Sequence, residues 1–142
     1  MNAQSFATIK VVGSILVALV IVGCQSSTHE AKGHWNAQSI ESFRSVAGKW
    51  AGIMVRAPKA PQDDWVRVTI SDDGHYEFSS VRMIGVFSGQ GQFTLADGKL
   101  TVTTERGAAT GTLWVTDGRR MLRFLGRMKD GTDYTVELVP SN

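Results

Sequence analysis

The chain has one cysteine, Cys24, and only three histidines in 142 residues. A lone thiol cannot close an internal disulfide, so nothing covalent staples the fold. His29 and His34 stand five apart in a polar segment with no carboxylate or thiol cluster around them, which is not the make-up of a built metal site. No Gly-x-Ser-x-Gly elbow, cysteine nucleophile or phosphate-cradling glycine loop is present. The formal net charge is only +2, too small to make an electrostatic case for nucleic acid. The longest apolar run, Val11 to Cys24 (VVGSILVALVIVGC), falls short of the roughly 20 residues needed to cross about 30 Å of hydrocarbon.

What is present at that run is informative. The ten residues before it carry one charge, Lys10, and no acidic side chain. A weakly basic start, a short apolar core and a small residue before the break are the parts of a secretory signal peptide. Ile21-Val22-Gly23-Cys24 resembles the lipobox of bacterial lipoproteins. That resemblance implies cleavage after Gly23, a diacylglyceryl group on the Cys24 thiol and acylation of the new amino terminus. Two or more chains make such an anchor stable, because each buried methylene contributes about 0.8 kcal/mol. Gln25 follows where aspartate would suggest inner-membrane retention, so the expected place is the outer membrane, facing the periplasm. The mature chain loses Lys10 from its 15 basic residues, leaving 14 against 13 acidic ones, enough length for one small domain.

Three parts are expected: a signal peptide over 1–23, an anchored tether with a short helix over 24–45, and a β-domain over 46–142. Gln25 to Gly33 is too polar to bury and reads as tether. Ile40, Phe43 and Val46 or Ala47 recur at helical steps within Asn36 to Ala47, which predicts a short helix or a single helical turn ending at Gly48. Beyond Gly48 the period changes to two. Val66, Val68 and Ile70 alternate with polar neighbours, as do Leu100 with Val102 and Val136 with Leu138. Asp73-Gly74, Asp97-Gly98, Asp117-Gly118 and Asp130-Gly131 punctuate these runs as hairpin turns. The expected fold is all-β: a small antiparallel meander of eight or nine strands that closes into an up-and-down barrel to hide its edges. A two-sheet sandwich is the alternative.

Gly48-Lys49-Trp50, opening the first strand just after the helical segment, resembles the Gly-x-Trp signature of lipocalins. The resemblance implies that Trp50 packs across the closed end of the barrel, over the preceding turn and under an arginine, with Arg123 and Arg127 as the nearest candidates. Thr132-Asp133-Tyr134 also spells a second lipocalin motif, but it lies before the last strand here, whereas that family has further strands after it. Bacterial metalloprotease inhibitors are similar small barrels whose N-terminal strip enters a protease cleft. Residues 25–39 would be the corresponding strip, so protease inhibition is an alternative function.

Two features suit binding. The loop from Arg56 to Trp65 carries Pro58 and Pro61, and Trp65 at its exit is either a contact residue or a cap on the barrel mouth. Its adjacent carboxylates, Asp63 and Asp64, are expected to face water. Arg119, Arg123 and Arg127 share one strand parity and suit acidic lipid headgroups, a carboxylate-bearing partner or simply a solvated outer face. His75, beside Asp72 and Asp73 at a turn, is the one residue on which an enzymatic alternative rests. In so small a barrel, Tyr76, Phe78, Phe93, Phe124 and Tyr134 are expected to fill the interior. The expected function is therefore a non-catalytic envelope binding module without cofactor, anchored to the membrane. Its partner is a small apolar ligand at the mouth or a protein met through the loops.

Overall fold

The computed structural model of the chain describes residues 34–58, 63–82 and 85–142. The expected signal peptide, Cys24, the expected tether with His29, and residues 59–62 of the proline loop lie outside the described residues. Among the described residues ten strands follow one another: β1 (Asn36–Gln38), β2 (Gly48–Ala57), β3 (Asp64–Ile70), β4 (His75–Arg82), β5 (Gly85–Gln92), β6 (Thr94–Ala96), β7 (Lys99–Thr104), β8 (Gly107–Thr116), β9 (Arg119–Met128) and β10 (Asp133–Pro140). The helix expected over Asn36 to Ala47 is confined to a 3-10 turn at Phe43–Ser45. Asn36–Gln38 instead pairs antiparallel with Leu113–Val115 as β1, extending the edge of β8.

All the strands belong to one antiparallel sheet, ordered β5-β4-β3-β2-β10-β9-β8-β7-β6 with β1 beside β8. It is a single curled sheet, and the sandwich alternative does not apply. Chain neighbours pair from β2 to β5 and from β6 to β10, and β2 links the two runs by pairing with both β3 and β10. The two ends of the order, β5 and β6, are consecutive in the chain and meet at Phe93. No ladder joins β5 to β6 or β7 among the described residues, so closure is incomplete and a seam is left there.

The turns explain the meander. Asp97-Gly98 and Asp117-Gly118 have positive φ at both residues (51° and 69°, 39° and 76°), the two-residue turn whose twist matches that of its strands. At the other two Asp-Gly pairs only the glycine is left-handed (Gly74 86°, Gly131 87°). Those hairpins carry three-residue loops, closed by Gly74 N–H donating to Ser71 O and Gly131 N–H donating to Met128 O.

Strand parity sorts the residues as alternation predicts. Val66, Val68, Ile70, Val136 and Leu138 are buried in a core that runs from Ile40 to Leu138. The folded unit thus carries its whole described core within residues 34–142. At one end Trp50 is 2% exposed and its Nε1–H donates to the Val46 carbonyl at 2.8 Å. Ile40 and Val46 are buried beside it, and Ile40 N–H donates to Gly98 O on the β6–β7 turn. The arginine over the Trp50 ring is Arg120, 5.4 Å from its centroid, which also donates to the Ser45 carbonyl. Arg123 and Arg127 are elsewhere, because their odd parity on β9 turns them outward.

Candidate functional site

The other end of the barrel is open. A cavity of about 640 Å³ enters between the strands there, within the range of about 300–1,000 Å³ usual for small-molecule sites. Tyr76, Phe93 and Phe124 form its floor, with Phe93 4.4 Å from the Tyr76 ring and 5.5 Å from Phe124, centroid to centroid. Met54, Val66, Val68, Val102 and Val136 line its sides. Residues of β5 (Phe87 to Gln90) and of β7 and the turn after it (Val102, Thr104, Glu105) also line it, so the seam is one wall of its opening.

This corrects the expectation that the aromatic side chains fill the interior. Each of four rings has a glycine directly opposite on the next strand: Tyr76 with Gly91, Phe78 with Gly89, Phe124 with Gly111 and Tyr134 with Gly126. A Cβ on any of these glycines would stand 2.2–2.7 Å from the facing ring or hydroxyl. The rings therefore lie against the wall, in space that a side chain would otherwise take, and the centre stays free.

Polar groups in the cavity are few. The hydroxyls of Tyr76 and Tyr134 have no hydrogen-bond partner among the described residues. Burial raises both above the ordinary tyrosine value, and the neighbouring Tyr76 raises Tyr134 further. Near the rim, Asp64 is 3% exposed rather than facing water. Its Oδ2 accepts from Ser80 Oγ at 3.1 Å, from Arg82 Nε at 2.9 Å and from Arg56 Nη2. The β3 alternation Asp64-Val66-Val68-Ile70 carries this signal, since it places Asp64 on the inner face. Arg82 also lies 4.4 Å over the Phe87 ring, and both side chains line the cavity.

The remaining candidates are dispersed. Arg56, on the inner parity of β2, is in the Asp64 cluster. Trp65 is on the outer face, 65% exposed, and does not cap the mouth. It stands in register between Ile53 and Val81, and Val81 in turn faces Val86, so four exposed apolar side chains cross β2 to β5 in one row. Arg123 and Arg127 point outward and pair across to β10, with Glu137 at 2.7 Å and Asp133 at 2.5 Å. Arg123 also covers the Trp114 ring, and Arg119 covers Trp35. His75 is exposed, its ring 3.9 Å from Asp73 at the β3–β4 turn, and it lines neither this cavity nor the shallower outer one beside Arg67 and Glu77. Among the described residues no group of three metal-ligating side chains converges.

No protein-family model matches the chain, and no curated protein matches it. Among solved structures, a redesigned β-barrel is similar at 13% identity, with a TM-score of 0.48 over 72% of this chain and 97% of that one.

Proposed function

We propose that this protein is a lipid-anchored, non-catalytic binding module of the bacterial envelope, held at Cys24, whose barrel takes a small apolar ligand into its lumen. The observation that carries the ligand half is the cavity of about 640 Å³ walled by aliphatic side chains and flattened aromatic rings. A well-formed apolar pocket with a few polar groups is the default binding site of a fold of this kind. The anchor half rests on Ile21-Val22-Gly23-Cys24 and on Gln25, which favours the outer membrane.

Titration of residues 25–142 with 1-anilinonaphthalene-8-sulfonate, followed by displacement with long-chain alcohols and acids, tests the ligand reading. Saturable one-to-one binding is expected. Non-saturable fluorescence, or none, counts against a lumenal site.

A second reading, an envelope protein docking on the outside of the barrel, is favoured by the row Ile53, Trp65, Val81 and Val86, where single exposed apolar residues would be ordinary but a contiguous patch is not. A photo-crosslinking residue at position 65 should then trap one discrete adduct in cells, while the same group at exposed Lys49 should trap none.

A further inference from the structure

We propose that the ligand of the lumen is a single-chain amphiphile with one negative charge at its head, held at the rim by Arg82, with its tail directed toward Phe93 and Phe124. This deepens the lumenal reading above and rests on it.

The first argument is charge. Asp64 carries one negative charge and is contacted by two guanidinium groups. Arg56, the more enclosed of the two with its side chain 16% exposed, balances it. The charge of Arg82, 27% exposed, is then left over. The charged residues that line the cavity are Arg82, Glu105 and Arg106, so the lining too has one surplus positive charge among the described residues. A half-enclosed surplus cation over an apolar cavity favours an anion, because charges leave water at a cost that an opposite charge offsets.

The second argument is donor capacity. A guanidinium offers five N–H donors in a planar fork. Arg82 uses Nε on Asp64, and among the described residues its Nη atoms have no acceptor. Asp64 does not use up the fork, because the Arg56, Arg82 and Ser80 bonds all end on the same oxygen, Oδ2. Asp64 and the Phe87 ring fix the orientation of the Arg82 plane, so the free edge is held at the cavity wall. A carboxylate or phosphate oxygen matches that edge, and such charge-assisted bonds are about twice as strong as neutral ones.

The third argument is size. At roughly 30 Å³ for a group the size of water, a cavity of about 640 Å³ takes about twenty such groups. That suits one long alkyl chain with its head and is too little for a two-chain lipid.

The test measures displacement of 1-anilinonaphthalene-8-sulfonate from residues 25–142 by hexadecanoate, hexadecanol and hexadecyltrimethylammonium, each below its micelle-forming concentration. The expected order is acid, then alcohol, then ammonium, with about tenfold between acid and alcohol. Arg82→Gln should bring acid and alcohol together, while Arg127→Gln on the outer face should leave the order intact. Equal displacement by all three overturns the anionic head but leaves the lumenal reading standing; displacement by none overturns the lumenal reading itself. An acid preference that persists in a folded Arg82→Gln removes Arg82 from the role. If that variant does not fold, the order of the three probes on the unaltered protein decides for or against an anionic head. Phosphatidylglycerol vesicles separate the two sources of an anionic head: no displacement by them supports the single-chain assignment, and displacement by vesicles but not by hexadecanoate overturns it.

Discussion

The Tyr134 ring lies over Gly126 of the neighbouring strand so closely that a Cβ on the glycine would stand 2.2 Å from the ring. The two residues are a packing unit: the absence of one side chain lets the other lie against the wall, and the lumen stays open. Gly126→Ala must push the ring inward or bend β9. Overpacking of this kind costs about 1–3 kcal/mol. Gly126→Ala should therefore lower the midpoint of chemical denaturation and weaken lumenal binding together, whereas Gly118→Ala, at a turn with nothing within 4 Å of its Cβ, should affect stability alone.

Strand parity and the Asp-Gly turns made the meander and most of the core legible in advance, because each is a local property of the chain. Trp50 was legible from the Gly-x-Trp order. Its arginine was not: Arg119, Arg123 and Arg127 draw the eye as a stripe, while Arg120, on the opposite parity, is the one that turns toward Trp50. The open lumen was hidden for a different reason. Counting aromatic residues predicts a filled barrel, and only the register between strands reveals that four of them face glycines. The Asp64 cluster likewise needs β2, β3 and β4 aligned before Arg56, Ser80 and Arg82 can be seen to meet. The incomplete closure at Phe93 follows from β4 pairing with residues 85–92 and β7 with residues 94–96 of the same segment.

Trp50 closes the barrel opposite the cavity. Truncating a large buried aromatic costs about 3–5 kcal/mol, comparable with the total stability of a domain this small. Trp50→Ala should leave residues 25–142 largely unfolded by circular dichroism. Trp50→Phe keeps most of the volume but leaves the Val46 carbonyl without its donor, so a loss of about 1–3 kcal/mol is expected. Trp35→Ala removes only a half-buried ring under Arg119, and its effect should stay below about 1 kcal/mol.

Tyr76 and Tyr134 should contribute to a loss of stability at alkaline pH. Both ionise above the ordinary value of 10.0 because they are buried. Above that value the unfolded chain has released protons that the folded one retains, so stability must fall as pH rises. Their contribution is fully present below the unfolded value near 10 and is lost as pH climbs through the higher folded values. Denaturation midpoints measured from about pH 8 to about pH 11 should decline at the upper end, and the decline should be shallower in Tyr76→Phe/Tyr134→Phe. An identical decline in both proteins would sink this account.

Arg127 and Asp133 behave as a surface pair. The Arg127 guanidinium holds the Asp133 carboxyl below its ordinary 3.8, so whatever the pair contributes is present above that value and is lost as pH falls through the lower folded one. Both side chains are at least half exposed, and exposed pairs are screened by salt. Arg127→Gln should leave the melting temperature unchanged at physiological ionic strength.

The anchor prediction turns on one atom, the Cys24 sulfur. Lipidation needs a thiol, because the diacylglyceryl group is carried as a thioether. The leader peptidase of the lipobox route acts on the modified precursor, so Cys24→Ser should block both steps at once. In cells, Cys24→Ser should yield an unprocessed, unlipidated precursor, and globomycin on the unaltered protein should accumulate a larger lipid-bearing one. Radiolabelled palmitate should mark the unaltered chain and leave Cys24→Ser unlabelled. If Cys24→Ser is instead cleaved normally and still fractionates with membranes, its attachment comes from another part of the chain and the lipoprotein reading fails. Because every described core residue lies at Ile40 or beyond, the barrel released as residues 25–142 should keep its ligand affinity, which separates loss of anchor from loss of fold.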